Sequence, residues 1–187
     1  MIYILVALEQ EFNTSALDKN KYQVFYTGVG KVNAAHVATK YAMQRTCDAV
    51  INYGTAGTLN KELIGQLVEV GTIYQRDMDA RPLSPLGTTP YDLEHKASEL
   101  TICDSPYTLS TGDNFVTNTP EIVTDLVDME AYAIAKVCKH LAVPFYCVKY
   151  ASDFADADAA EHWQDNVNKG ANLFKEWLDL YELARNR

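Results

Sequence analysis

The chain has 187 residues, a formal net charge of −9, 48% hydrophobic residues and 22% charged residues. That length suits one domain with a substantial core, and the acidic balance excludes a nucleic-acid binder, which needs basic patches. No apolar stretch approaches the ~20 residues that cross a bilayer, and no basic segment precedes the first apolar run, so a soluble cytoplasmic protein without membrane contact is expected.

Residues 2–8 (IYILVAL) have the pattern of a buried strand and run into Glu9-Gln10-Glu11-Phe12, where a short helix through Leu17 is expected. Strand followed by helix at the start points to a parallel α/β layer. Residues 22–27 read as a second strand. The turn Gly28-Val29-Gly30-Lys31 follows, then a helix with Val32, Ala35, Thr39 and Ala42 as its stripe. By itself GxGK has the spacing of neither a P-loop nor a dinucleotide fingerprint. Residues 49–53 form the next strand, ending in the small-residue turn Gly54-Thr55-Ala56-Gly57-Thr58-Leu59. After Gly65, residues 68–75 read as one strand. Residues 76–80 then lead into 81–91, a long connection rich in proline, glycine and threonine, of the kind that carries function. Short strands are expected at 99–103 and 107–111, the second running into Thr111-Gly112-Asp113-Asn114-Phe115-Val116, and residues 122–127 return the chain to the sheet.

Residues 127–156 carry the densest pattern. Asp128 and Glu130 precede a helix with Ala133, Ile134, Val137, Cys138 and Leu141 on one face, and Val143-Pro144 stops it. Residues 145–150 are a strand-length apolar run ending in Ala151-Ser152-Asp153, with Asp156 beyond. Residues just past a strand's carboxyl end face the ligand crevice of an α/β sheet, so Glu130 and Asp153 are expected at the same end. On spacing alone, Glu130 serves the helix dipole and Asp153 caps the following helix. The tail is helical to about Arg185, with Trp163, Val167, Phe174, Trp177, Leu178 and Tyr181 covering one sheet face. The four cysteines form no CxxC pair, and three, within or beside apolar runs, read as reduced core residues; His36, His95, His140 and His162 receive no role.

VDMEAYAIA, then VPF, then ASDFAD, preceded by GVGKVNAA, NYGTAGTL and TGDNFV, resembles in content and order the 5'-methylthioadenosine/S-adenosylhomocysteine nucleosidases, within the nucleoside phosphorylase superfamily. The resemblance implies a single three-layer α/β/α domain over residues 1–187 with a central mixed sheet. It implies hydrolysis of an N-glycosidic bond with no metal or organic cofactor. Asp153 is then the acid that protonates N7 of the purine, in surroundings that raise its pKa. Glu11 polarises the attacking water. Glu130 grips the ribose 2' and 3' hydroxyls with Met129 beside the sugar, Phe115 stacks on the base, and the backbone of Val116 reads its edge. The resemblance also puts Thr55, Lys149 and Ser152 at the substrate; Thr55 keeps a hydroxyl where relatives commonly carry serine, and Ser152 lies in the ASDFAD segment. Lys149 stands where these nucleosidases usually have arginine, keeping the charge and losing the planar fork.

Phosphorylase relatives hold phosphate with arginines, one just ahead of the turn at Gly54; here that position is Asn52. With Glu9 and Glu11 also delivered nearby, a phosphate anion is repelled and water is favoured. The small-molecule partner is thus a purine nucleoside, and the resemblance implies a homodimer in which the 81–91 loop completes a neighbour's site. Two alternatives stay open: another purine nucleoside hydrolase or phosphorylase of the superfamily, or a binding protein without turnover.

Overall fold

The structure, a computed structural model, describes residues 1–12, 14, 17–93, 97–155 and 166–185. His95, Asp156, His162 and Trp163 lie outside the described residues, as do parts of the segment expected to be helical up to Leu17.

Strand β1 (Ile2–Val6) is buried along its whole length. It pairs in parallel with β2 (Tyr22–Tyr26) on one edge and with β3 (Ala49–Thr58) on the other. Because successive side chains alternate across a strand, β1 feeds two separate layers. Tyr3 and Leu5 pack with Val50 against Ala34 and Ala38 of α1 (Lys31–Ala42) and Ile134 and Cys138 of α2 (Ala131–His140). Ile2, Ile4 and Val6 pack on the opposite face with Ile51, Tyr53 and Val148 beneath Phe174 and Leu178 of α3 (Ala171–Arg185). There the Tyr53 ring stacks on Phe174 with centroids 4.0 Å apart. The result is the expected α/β/α layering. None of these helices is long and apolar enough to cross a membrane.

The sheet is mixed, as expected. Strand β9 (Phe145–Phe154) runs parallel to β3, and β4 (Leu67–Glu69) runs antiparallel to β9. β8 (Leu126–Asp128) pairs antiparallel with the end of β3, and β7 (Thr108–Thr111) and β5 (Thr72–Gln75) continue the sheet in parallel. β6 (Glu99–Thr101) closes that side antiparallel to β5.

Five expectations are corrected. The segment 54–59 is strand rather than turn: β3 continues to Thr58, paired with β9 as far as Thr58–Phe154, with a register shift between Ala56 and Gly57. Ala151, Ser152 and Asp153 consequently lie inside β9 instead of past its end. A nine-residue ladder of backbone hydrogen bonds outweighs the turn preference of Gly-Thr-Ala-Gly. The single strand expected at 68–75 is two, β4 and β5, which pair with different neighbours. The helix following Gly30 turns Ala34, Ala38 and Ala42 inward, while Val32, expected inside, is 80% exposed. Alanine lets that helix approach the sheet closely. Finally, the segment 9–17 opens as a 3-10 turn over Glu9–Glu11.

Candidate active site

Both long strands reach past the end of β1, and the carboxylates gather there. Glu11, carried by the 3-10 turn after β1, folds back onto β3. Its Oε1 accepts from the Thr55 backbone N–H and from Thr55 Oγ1, both at 2.8 Å, and its Oε2 accepts from the Leu8 N–H at 2.9 Å. A side chain at Gly54 would sit 3.2 Å from Glu11 Oε1, and one at Gly57 would sit 3.2 Å from Asp153 Oδ2. The small residues of β3 therefore make room for two carboxylates. Ser152 Oγ donates to Asp153 Oδ1 at 2.5 Å, and the Ser152 carbonyl accepts from Asn166 Nδ2 at 2.7 Å.

The second half of the site comes from β7 and β8. Asp128 ends β8 and points inward: its Oδ1 accepts from Thr111 Oγ1 at 2.5 Å and its Oδ2 accepts from the Ala131 N–H at 2.9 Å. Thr111 Oγ1 in turn accepts from the Tyr132 N–H at 2.9 Å. These two side chains satisfy the first N–H groups of α2. Glu130 occupies the N-cap position but makes no side-chain cap; its Oε1 instead accepts from the Gly30 N–H at 2.9 Å. Gly30 has a φ of 94°, in the region that favours glycine. The reading of Glu130 as a dipole acid is therefore replaced by a carboxylate turned toward the GVGK turn. Lys31 ties the same turn to the 112–116 loop, its N–H donating to Asp113 Oδ1 at 2.7 Å and its Nζ pairing with Asp77 at 2.5 Å.

Between the two halves lies a cavity of about 190 Å³. Glu11, Thr55, Phe115, Met129, Glu130 and Asp153 line it, with Val116 and Arg76. Phe115 is 53% exposed, an aromatic left at the mouth, whereas Val116 is buried against Val127 and Ala155. Burial pushes the Glu130 carboxyl up to about 7, helped by the negative Asp128 and opposed by Lys149. A raised carboxyl pKa favours the folded state most when protonated. This contribution is complete below the ordinary value of 4.5 and is lost as pH rises through about 7.

The Phosphorylase superfamily model matches residues 7–180. A 5'-methylthioadenosine/S-adenosylhomocysteine nucleosidase from Staphylococcus saprophyticus is 30% identical over 178 residues, covering 82% of this chain and 77% of the relative. The chain belongs to this nucleosidase family, within the phosphorylase superfamily. The nucleosidase of that name from Bacillus velezensis is 29% identical over 174 residues, covering 80% of this chain and 75% of its own. Among solved structures, the Helicobacter pylori nucleosidase with butyl-thio-DADMe-Immucillin-A superposes with a TM-score of 0.81 at 23% identity, over 95% of this chain and 97% of that one. A Helicobacter pylori futalosine hydrolase gives the same values, so the fold is shared across both names.

Two residues expected at the substrate do not line the nucleosidase cavity. Lys149 is 1% exposed on β9, and its Nζ pairs with Asp128 Oδ2 at 2.9 Å. Burial disfavours both charges, but the mutual attraction more than reverses this, leaving the Asp128 carboxyl below and the Lys149 ammonium above their ordinary values. Ser152 is buried behind Asp153. Asn52 is likewise interior: its Nδ2 donates to the Leu5 carbonyl at 3.1 Å. Arg76 and Asp128, which line the cavity, received no role from the sequence. The signal was available: Arg76 is a charge at the carboxyl end of a buried strand pattern, the end that delivers residues to the crevice.

Proposed function

We propose that this chain hydrolyses the N-glycosidic bond of 5'-methylthioadenosine/S-adenosylhomocysteine-type nucleosides and releases adenine. The observation that carries the reading is the convergence of Glu11, Glu130 and Asp153 on one cavity beside the exposed Phe115, in a chain of the nucleosidase family. The purine stacks on Phe115 with its edge at the Val116 backbone, and Met129 packs beside the ribose. Glu130, with two acceptor oxygens, takes the vicinal 2' and 3' hydroxyls. Asp153 gives its proton to N7 as the C1'–N9 electron pair returns to the base. Water adds to C1' and passes a proton to Glu11; Glu11 releases that proton to solvent and Asp153 regains one, so nucleoside and water leave as adenine and the 5-substituted ribose. Thr55 and Ser152 act through the carboxylates they bond.

Water is the nucleophile for an electrostatic reason. Among the described lining residues the cation is Arg76, whose four terminal N–H groups are taken up by carbonyls; the buried Lys149 is paired with Asp128, and Glu11 and Glu130 face the cavity. A phosphate anion is repelled there with little solvent screening.

The test is adenine release from 5'-methylthioadenosine, with and without phosphate, over a pH series and a set of 5' substituents. We expect release that phosphate does not stimulate, and a kcat/KM that falls below about pH 7 as Glu130 gains its proton. Release only with phosphate places the chain among phosphorylases, and binding without release makes it a carrier.

We also propose a cytoplasmic homodimer. Supporting it are four free thiols and an apolar groove between α1 and α2, with Val32 in its wall at 80% exposure. Light scattering at micromolar concentration should give twice the chain mass of 20.9 kDa, and the monomer mass refutes the pairing.

A further inference from the structure

We infer that Arg76 is a positioning residue that sets the binding half of the site, β7–β8 with the 112–116 loop, independently of the half that does the chemistry. This rests on the nucleosidase reading above. Arg76 is 8% exposed at the end of β5 and belongs to neither half by sequence. Its Nη1 donates to the Ser110 carbonyl at 2.6 Å and the Asp128 carbonyl at 2.7 Å; its Nη2 donates to the Gly112 carbonyl at 3.2 Å and the Asn114 carbonyl at 2.6 Å. One planar cation thus fixes the end of β7, the end of β8 and the loop between them. Asn114 precedes Phe115 and Val116; Asp128 precedes Met129 and Glu130. The groups that hold base and ribose therefore hang from carbonyls that Arg76 collects. Lysine cannot substitute, because its ammonium has three donors and no planar fork.

The chemical half is anchored elsewhere. Glu11 is held by Leu8 and by Thr55 of β3, and Asp153 lies within β9. Among the described residues no hydrogen bond of Arg76 reaches either strand, so loosening Arg76 lets the base and ribose contacts drift while the acid and the water-polarising carboxylate stay in place. Gly112 fits the same account: a Cβ there would stand 3.0 Å from both Cζ and Nε of Arg76. The guanidinium must then shift by a few tenths of an ångström against its four carbonyl partners.

Arg76→Met and Gly112→Ala are the paired tests, read as KM against kcat for 5'-methylthioadenosine, Kd for adenine alone, and thermal unfolding. We expect KM and the adenine Kd to rise about tenfold or more in both, the scale of one to two net hydrogen bonds, with kcat within about threefold of wild type. The shape of the pH profile should be retained. A merely structural Arg76 lowers Tm and the active fraction but leaves KM and Kd of the folded enzyme at wild-type values, and that result overturns the inference. If Arg76→Met does not fold, Gly112→Ala decides, because it keeps the charge and displaces only the guanidinium; unchanged KM and Kd there are equally fatal. Should the wild type release no adenine, the nucleosidase reading fails by itself. The adenine Kd of the two variants then judges Arg76 separately.

Discussion

Asp153→Asn should lower kcat for adenine release by about 10²–10⁴-fold, the range spanned by a positioned general acid. The amide has the size of the carboxyl and still accepts from Ser152 Oγ, so β9 and the cavity keep their shape. What it lacks is a proton to give to N7 as the glycosidic bond breaks. KM should change little, because the contacts expected to hold substrate come from Phe115, Met129 and Glu130 on the other side of the cavity. Single-turnover adenine release from 5'-methylthioadenosine measures the step directly. A loss below tenfold, with the variant folded, would assign protonation of the base to another group.

Lys149→Met carries the largest expected effect on stability. Lys149 and Asp128 are each 1% exposed at their side chains and 2.9 Å apart. Removing one charge of a buried pair leaves the other without compensation, a loss of about 3–5 kcal/mol. Asp128 also accepts from Thr111 and from the first N–H of α2, so the stranded carboxylate lies under the turn that presents Glu130. Denaturant unfolding should show the loss directly, and Tm should fall by roughly 6–20 °C for a chain of this size. Replacing both partners, as Lys149→Met with Asp128→Asn, should recover part of the loss, because no unpaired charge remains. A single variant within about 1 kcal/mol of wild type would mean that water or another group already satisfies Asp128.

The sequence by itself determined the layering and most of the cavity wall. The unbroken apolar run IYILVAL fits a strand buried on both faces, and the spacing of Phe174, Trp177, Leu178 and Tyr181 fits a helix lying on one of them. Of the expected site residues, Glu11, Thr55, Phe115, Val116, Met129, Glu130 and Asp153 all line one cavity. Their legibility came from the order of the motifs, since each segment alone has an ordinary structural explanation.

Tertiary structure decided what depends on partners far along the chain. Whether Gly54-Thr55-Ala56-Gly57 turns or extends is settled by β9, some 95 residues later, whose ladder holds it straight. Whether Lys149 meets substrate or a carboxylate is settled by Asp128 in the cavity wall. Whether α1 buries its valine or its alanines is settled by how closely the helix must approach the sheet. Arg76 was the least legible of all: its four acceptors are backbone carbonyls, which carry no residue identity, and only the folded chain brings them within reach of one guanidinium.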